Sequence, residues 1–158
     1  MTCPLAQLRD PAVAHGRPLT GDVIEVDELR LRCVIGINHE ERRDRQDVVI
    51  SLRIGTNARP AAVIDSMGAV WNYRTATKAI IAHVEPSTFL TVEKLASEIA
   101  RIVVADHAAP WVEVRVHKPG ALRFAGSVGV VIHQHPDDFL NAQQIPEGPA
   151  PTCQESDQ

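Results

Sequence analysis

The sequence has no uninterrupted apolar run approaching the ~20 residues that a bilayer-spanning helix requires. It also has no excess of positive charge. Sixteen lysines and arginines stand against 20 aspartates and glutamates, for a formal net charge of −4. A nucleic-acid partner needs a basic face, so none is expected, and neither is a membrane partner. Cysteine is scarce: Cys3, Cys33 and Cys153 are widely spaced, and no CxxC pair suggests a structural zinc site. All three read as free thiols, Cys33 as a small core residue. The first residues lack a basic stretch followed by an apolar one, so no signal peptide is expected and a cytoplasmic location is. Aromatics make up 4% of the chain, and Tyr73 is its one tyrosine.

What is present fits one α+β domain. The chain has 158 residues, 44% of them hydrophobic, enough for a single core. Residues 1–20 and 136–158 are proline-rich and lack apolar periodicity, and they read as disordered extensions around a domain at 21–135. Within it, "DVIEVDELRLRCVIG" alternates at Val23, Glu25, Leu29, Leu31 and Cys33, with a break expected near Asp27-Glu28. "QDVVISLRIGT" is a second strand. Ala76, Ile80 and Val84 then mark one face of a helix capped by Asn72 and ended by Pro86. Val92, Leu95, Ala96, Ile99 and Val103 mark a second helix, capped by Thr91. "WVEVRVHK" and "SVGVVIHQH" close the domain as strands. The order is β-β-α-α-β-β, a four-stranded antiparallel sheet with two helices on one face. Its other face and its edges stay open, which favours oligomerisation or barrel closure.

Several residues could carry chemistry. The alternation Val112, Val114, Val116 continues to Lys118, turning a lysine toward the apolar face just before Pro119 and Gly120. A partly desolvated ammonium there suits proton transfer, and a strand-end lysine reaching to water is the bland alternative. Glu93 in the first turn of the second helix suits the helix dipole, and it could also accept two parallel N–H bonds from a flat heterocycle. Tyr73 is either a packed aromatic or a ring that contacts a planar ligand. Glu41 lies in a loop of mixed charge with Arg42, Arg43 and Arg45, which could meet phosphates or simply be solvated. His133 and His135 share a strand side, but two ligands fall short of a zinc site, and no metal is expected.

The strings "LRLRCVIGINHEERRDRQDVVISL", "WNYRTATKAIIAHVE", "FLTVEKLASEIA" and "VHKPGALRFAGSVGVVI" occur in an order that resembles the dihydroneopterin aldolase family, across about residues 22–133. "RQDVVI", "NYRTATKAIIAHVE" and "ALRFAGSV" resemble most its dihydroneopterin triphosphate 2′-epimerase branch. The resemblance implies a tunnelling fold whose sheets close between four subunits into a barrel, with two rings stacking into an octamer and sites lying between subunits. It implies that Glu93 anchors a pterin, with Thr91 and Val92 offering backbone contacts. It further implies that Lys118 is the catalytic lysine, that Tyr73 reaches the site from a neighbouring subunit, and that Glu41 contacts the substrate side chain. The implied activity is cofactor-free retro-aldol cleavage of 7,8-dihydroneopterin in folate or related pterin metabolism. The 2′-epimerase is the alternative, and a non-catalytic pterin- or purine-binding oligomer a further one.

Overall fold

The computed structural model describes residues 21–140. Its chain order is β1 (Asp22–Cys33), β2 (Gln46–Thr56), α1 (Arg59–Ile64), a 3-10 turn (Met67–Ala69), α2 (Tyr73–Val84), α3 (Val92–Arg101), β3 (Val112–Pro119), β4 (Ser127–Gln134) and α4 (Pro136–Leu140). The strands form one antiparallel sheet in the order β1-β2-β3-β4.

Alternation decides the faces. Val48, Ile50, Leu52 and Ile54 of β2 and Val112, Val114 and Val116 of β3 are buried against Ile80, Val84, Leu95, Ala96 and Ile99 of the two long helices. Cys33 is buried in that core as a free thiol, as its strand position implies, while Cys3 and Cys153 lie outside the described residues. Both expected caps form: Asn72 Oδ1 accepts from the Thr75 N–H, and Thr91 Oγ1 from the Lys94 N–H.

The break expected near Asp27-Glu28 is a β-bulge, and it corrects the reading of β1. Val26 pairs with Leu52 but Leu29 with Ile50, so one extra residue sits in β1. That residue flips the alternation. Ile24 and Val26 therefore pack on the core along with Leu29, where an unbroken strand would have placed Val23. Glu28 adopts φ 51° at the bulge, and its N–H donates to Ser51 Oγ.

Two further segments were not legible. The stretch between β2 and α2 forms α1 and the 3-10 turn, in which no residue is buried. The expected domain end at 135 is followed by α4, from which Phe139 packs on the core; residues 141–158 of the expected tail lie outside the described residues. At its C-terminal end α3 widens into a π-helical turn (Ile102–Asp106), which lets three consecutive residues, Ile102, Val103 and Val104, all be buried.

Candidate active site

Lys118 is turned inward by the β3 alternation, as its spacing predicts, and is only 6% exposed. A buried ammonium needs a partner. Glu41 supplies it: Lys118 Nζ donates to Glu41 Oε1 at 2.8 Å and to the Ile35 carbonyl at 3.4 Å. The second carboxylate oxygen, Glu41 Oε2, accepts from the backbone N–H groups of Ile37 (3.0 Å) and Asn38 (3.1 Å). Both oxygens are thus held in place. The Lys118 ammonium, helped by the Asn38 and Ile37 N–H groups, holds the Glu41 carboxyl below the usual carboxylate range.

Two residues that the spacing did not single out build this nook. Gly36 has φ +137°, and a Cβ there would fall 2.1 Å from Glu41 Oε2, so only glycine leaves room for the carboxylate. Gln46, at the start of β2, donates from Nε2 to the carbonyls of Ile35 (2.5 Å) and Glu41 (3.3 Å), closing the base of the loop. A glycine between an apolar strand and a charged loop is the signal that could have marked the first. The second carries no local signal.

Arg42 does not point to phosphate-bearing solvent. Its guanidinium donates from Nη1 to the carbonyls of Gly36 (3.3 Å) and Phe89 (3.0 Å), and from Nη2 to that of Thr88 (2.8 Å). Arg43 and Arg45 remain exposed.

Glu93 is brought to the same end of the molecule. The segment before α3 runs along the end of β1: the Val34 N–H donates to the Ser87 carbonyl and the Gly36 N–H to that of Phe89. Thr91 then caps α3, Val92 packs partly against the core, and Glu93 stands exposed in the first turn. Glu93 thus lies four residues on from Phe89, whose carbonyl accepts from the Gly36 N–H at the start of the Glu41 loop, and it faces solvent.

Tyr73 lies elsewhere. It is the first residue of α2, 50% exposed, in a hollow lined by Met67, Val70, Trp71 and Arg74. Trp71 fixes that hollow near the other end of the sheet, because its Nε1–H donates to the His107 carbonyl and it lines a cleft with Gly55 and Pro110. From Val112 to Lys118 the strand runs about 20 Å. One chain does not bring Tyr73 to Lys118.

The histidine pair does not act as a pair. His133 Nε2 bonds Glu113 Oε2 at 3.0 Å on the open sheet face, whereas His135 lies past β4, where its N–H donates to Asp138. Among the described residues, no three His, Cys, Asp or Glu side chains gather as a metal site. No helix among them is long and apolar enough to cross a membrane.

The family model for dihydroneopterin aldolase matches residues 24–133. The dihydroneopterin triphosphate 2′-epimerase of Pseudomonas aeruginosa is 45% identical over 112 residues, spanning 71% of this chain and 91% of that protein. The dihydroneopterin aldolase of Escherichia coli is 30% identical over 113 residues, spanning 72% of this chain and 93% of that one. The crystal structure of E. coli dihydroneopterin aldolase in complex with neopterin superposes with a TM-score of 0.70 at 30% identity, covering 72% of this chain and 99% of the other. The sheet with its helices on one face is thus the tunnelling fold. The chain belongs to the dihydroneopterin aldolase family.

Proposed function

We propose that this protein cleaves the side chain of 7,8-dihydroneopterin by a retro-aldol reaction and, through the same intermediate, epimerises it at C2′. The observation that carries the proposal is the buried Lys118 ammonium, 2.8 Å from Glu41, at the end of the sheet where the first turn of α3 presents Glu93.

The substrate explains why so few groups suffice. The C6=N5 imine of the dihydropterin accepts the electron pair released when the C1′–C2′ bond breaks. The 2′-hydroxyl loses its proton and becomes the aldehyde of glycolaldehyde, while N5 gains a proton and an enamine forms. A proton delivered to C1′, with loss of the N5 proton, restores the imine and yields 6-hydroxymethyl-7,8-dihydropterin. If glycolaldehyde instead turns over in the site and re-adds, C2′ is inverted.

Glu93 fixes the ring by accepting two parallel N–H bonds, with Thr91 and Val92 framing it. Lys118 is the acid/base group near N5, acting through a bound water, and Glu41 orients it and meets the side-chain hydroxyls. Tyr73 of a neighbouring subunit handles the proton at the hydroxyl or at C1′. No cofactor enters this scheme.

A second reading has its own support: identity is higher to 2′-epimerases acting on the triphosphate, 45% and 40%, than to the aldolase, 30%. Exposed Arg43 and Arg45 could then meet the phosphates. A product time course with each substrate separates the two. Glycolaldehyde and 6-hydroxymethyl-dihydropterin from the free pterin mark the aldolase; the inverted isomer, predominating from the triphosphate, marks the epimerase. Lys118→Ala is expected to abolish either turnover with pterin binding retained, and Glu93→Ala to abolish binding. Pterin bound without any product points instead to a binding oligomer.

A further inference from the structure

The Lys118–Glu41 pair and the ring anchor Glu93 sit on separate segments, and their spacing must be held for the chemistry to work. Two backbone hydrogen bonds join those segments, Val34 N–H to Ser87 at 3.3 Å and Gly36 N–H to Phe89 at 3.4 Å, both long. Beside the contact between the Cys33 thiol and Ser87, a further tie is a longer side chain. Arg42 follows Glu41 directly, and its N–H closes the turn that carries Glu41 by bonding the Asn38 and His39 carbonyls. From that anchored backbone the guanidinium reaches across 46 and 47 positions of sequence to Thr88 and Phe89, while also holding Gly36. Gly36 is the residue whose missing Cβ makes room for Glu41, and Phe89 leads into the Thr91 cap and Glu93. One planar fork thus grips the segments bearing both halves of the site.

We propose that Arg42 is a positioning residue that sets the distance between the acid/base pair and the ring anchor. It touches neither substrate nor reacting atoms. The inference rests on the proposed function, since it presumes that Glu93 and Lys118 act on one substrate. Lysine cannot replace it, because a point donor on a flexible stem cannot hold three carbonyls in a fixed plane.

The test compares wild type, Arg42→Met and Arg42→Lys in the full chain. It measures kcat and KM on 7,8-dihydroneopterin and on its triphosphate, neopterin binding by pterin fluorescence, and the thermal midpoint. Because Glu93 keeps its own helix, neopterin binding is expected to stay within about threefold. Because the reacting groups are no longer held in register, kcat is expected to fall roughly ten- to a hundredfold on both substrates, with Lys failing to rescue. An unchanged kcat overturns the proposal. So does a KM rise confined to the triphosphate, which makes Arg42 a phosphate contact. So does loss of binding together with the thermal transition, which makes it a fold determinant alone. Wild-type protein inactive on both substrates overturns the proposed function first, and this inference with it.

Discussion

Gly36 shows how a single backbone position carries a functional group. The Glu41 carboxylate occupies the space a Cβ would take, and the φ of +137° is one that L side chains rarely adopt. Gly36→Ala is therefore expected to push Glu41 off Lys118 while leaving the sheet intact. Turnover should fall at least as far as in Glu41→Gln, by roughly ten- to a hundredfold. The double variant should be no worse than the more damaged single one, because both remove the same contact. Additive losses in steady-state kinetics would show that Gly36 acts on something other than Glu41.

Glu113 offers a residue-scale prediction about stability. On the open sheet face it is nearly buried among His133, Arg115 and Arg53. Burial pushes its carboxyl up, but hydrogen bonds from His133 and Arg115 outweigh that and hold it below the usual value. A folded pKa below the unfolded one means that the stabilisation is complete above the unfolded pKa of about 4.3 and is lost as pH falls through the folded value. Glu113→Gln should lower the thermal midpoint at pH 7 and flatten its decline between about pH 5 and 3. An equally steep acid decline in the variant would assign that decline to other carboxylates, Glu41 and Glu98 among them.

At the scale of elements, α3 is the piece on which fold and site meet. Its Leu95, Ala96 and Ile99 fill the core while its first turn presents Glu93, so the cap that starts the helix also places the carboxylate. Thr91→Ala removes the hydrogen bond to the Lys94 N–H. It is expected to cost about 1 kcal/mol in denaturant unfolding and to weaken neopterin binding more than it slows bound substrate. A variant that loses the stability but binds neopterin normally would separate the cap from the anchor.

This helix was readable because its period, cap and first-turn charge all agree; in α2 period and cap sufficed, and in β2 and β3 the alternation did. Lys118 was readable too, since strand alternation alone turns it inward. What escaped the sequence depends on tertiary contact or on one added residue. The β1 bulge reverses a face through a single insertion. The α1 and 3-10 segments bury nothing, so no apolar period betrays them. The Glu41–Lys118 contact joins residues 77 positions apart, and Arg42 spends its charge on carbonyls that only the folded chain brings near. Charge in a loop names a donor and leaves its acceptor open.

The whole molecule poses a problem of distance. Lys118, Glu41 and Glu93 gather at one end of the sheet, and Tyr73 sits by Trp71 toward the other, about 20 Å away along β3. Among the described residues no strand pairs with the outer edge of β1 or β4, and Val63, Ile64, Met67, Val70 and Tyr73 leave apolar surface exposed around α1 and the start of α2. Edges and apolar surface of this kind favour association with further copies. If a ring of subunits brings the α2 start of one chain to the Lys118 end of the next, each site draws Tyr73 from one protomer and Lys118 from another. Tyr73→Ala and Lys118→Ala should then complement each other. Each is expected to be close to inactive alone. Co-expressed in equal amounts and purified as mixed assemblies, they should regain activity, because at roughly a quarter of the interfaces an intact tyrosine meets an intact lysine. Mixing the two purified proteins without subunit exchange should restore nothing. Mixed assemblies as inactive as their parents would place both residues in the service of one chain's own site, and would require α2 to move far from where its Trp71 anchor now holds it.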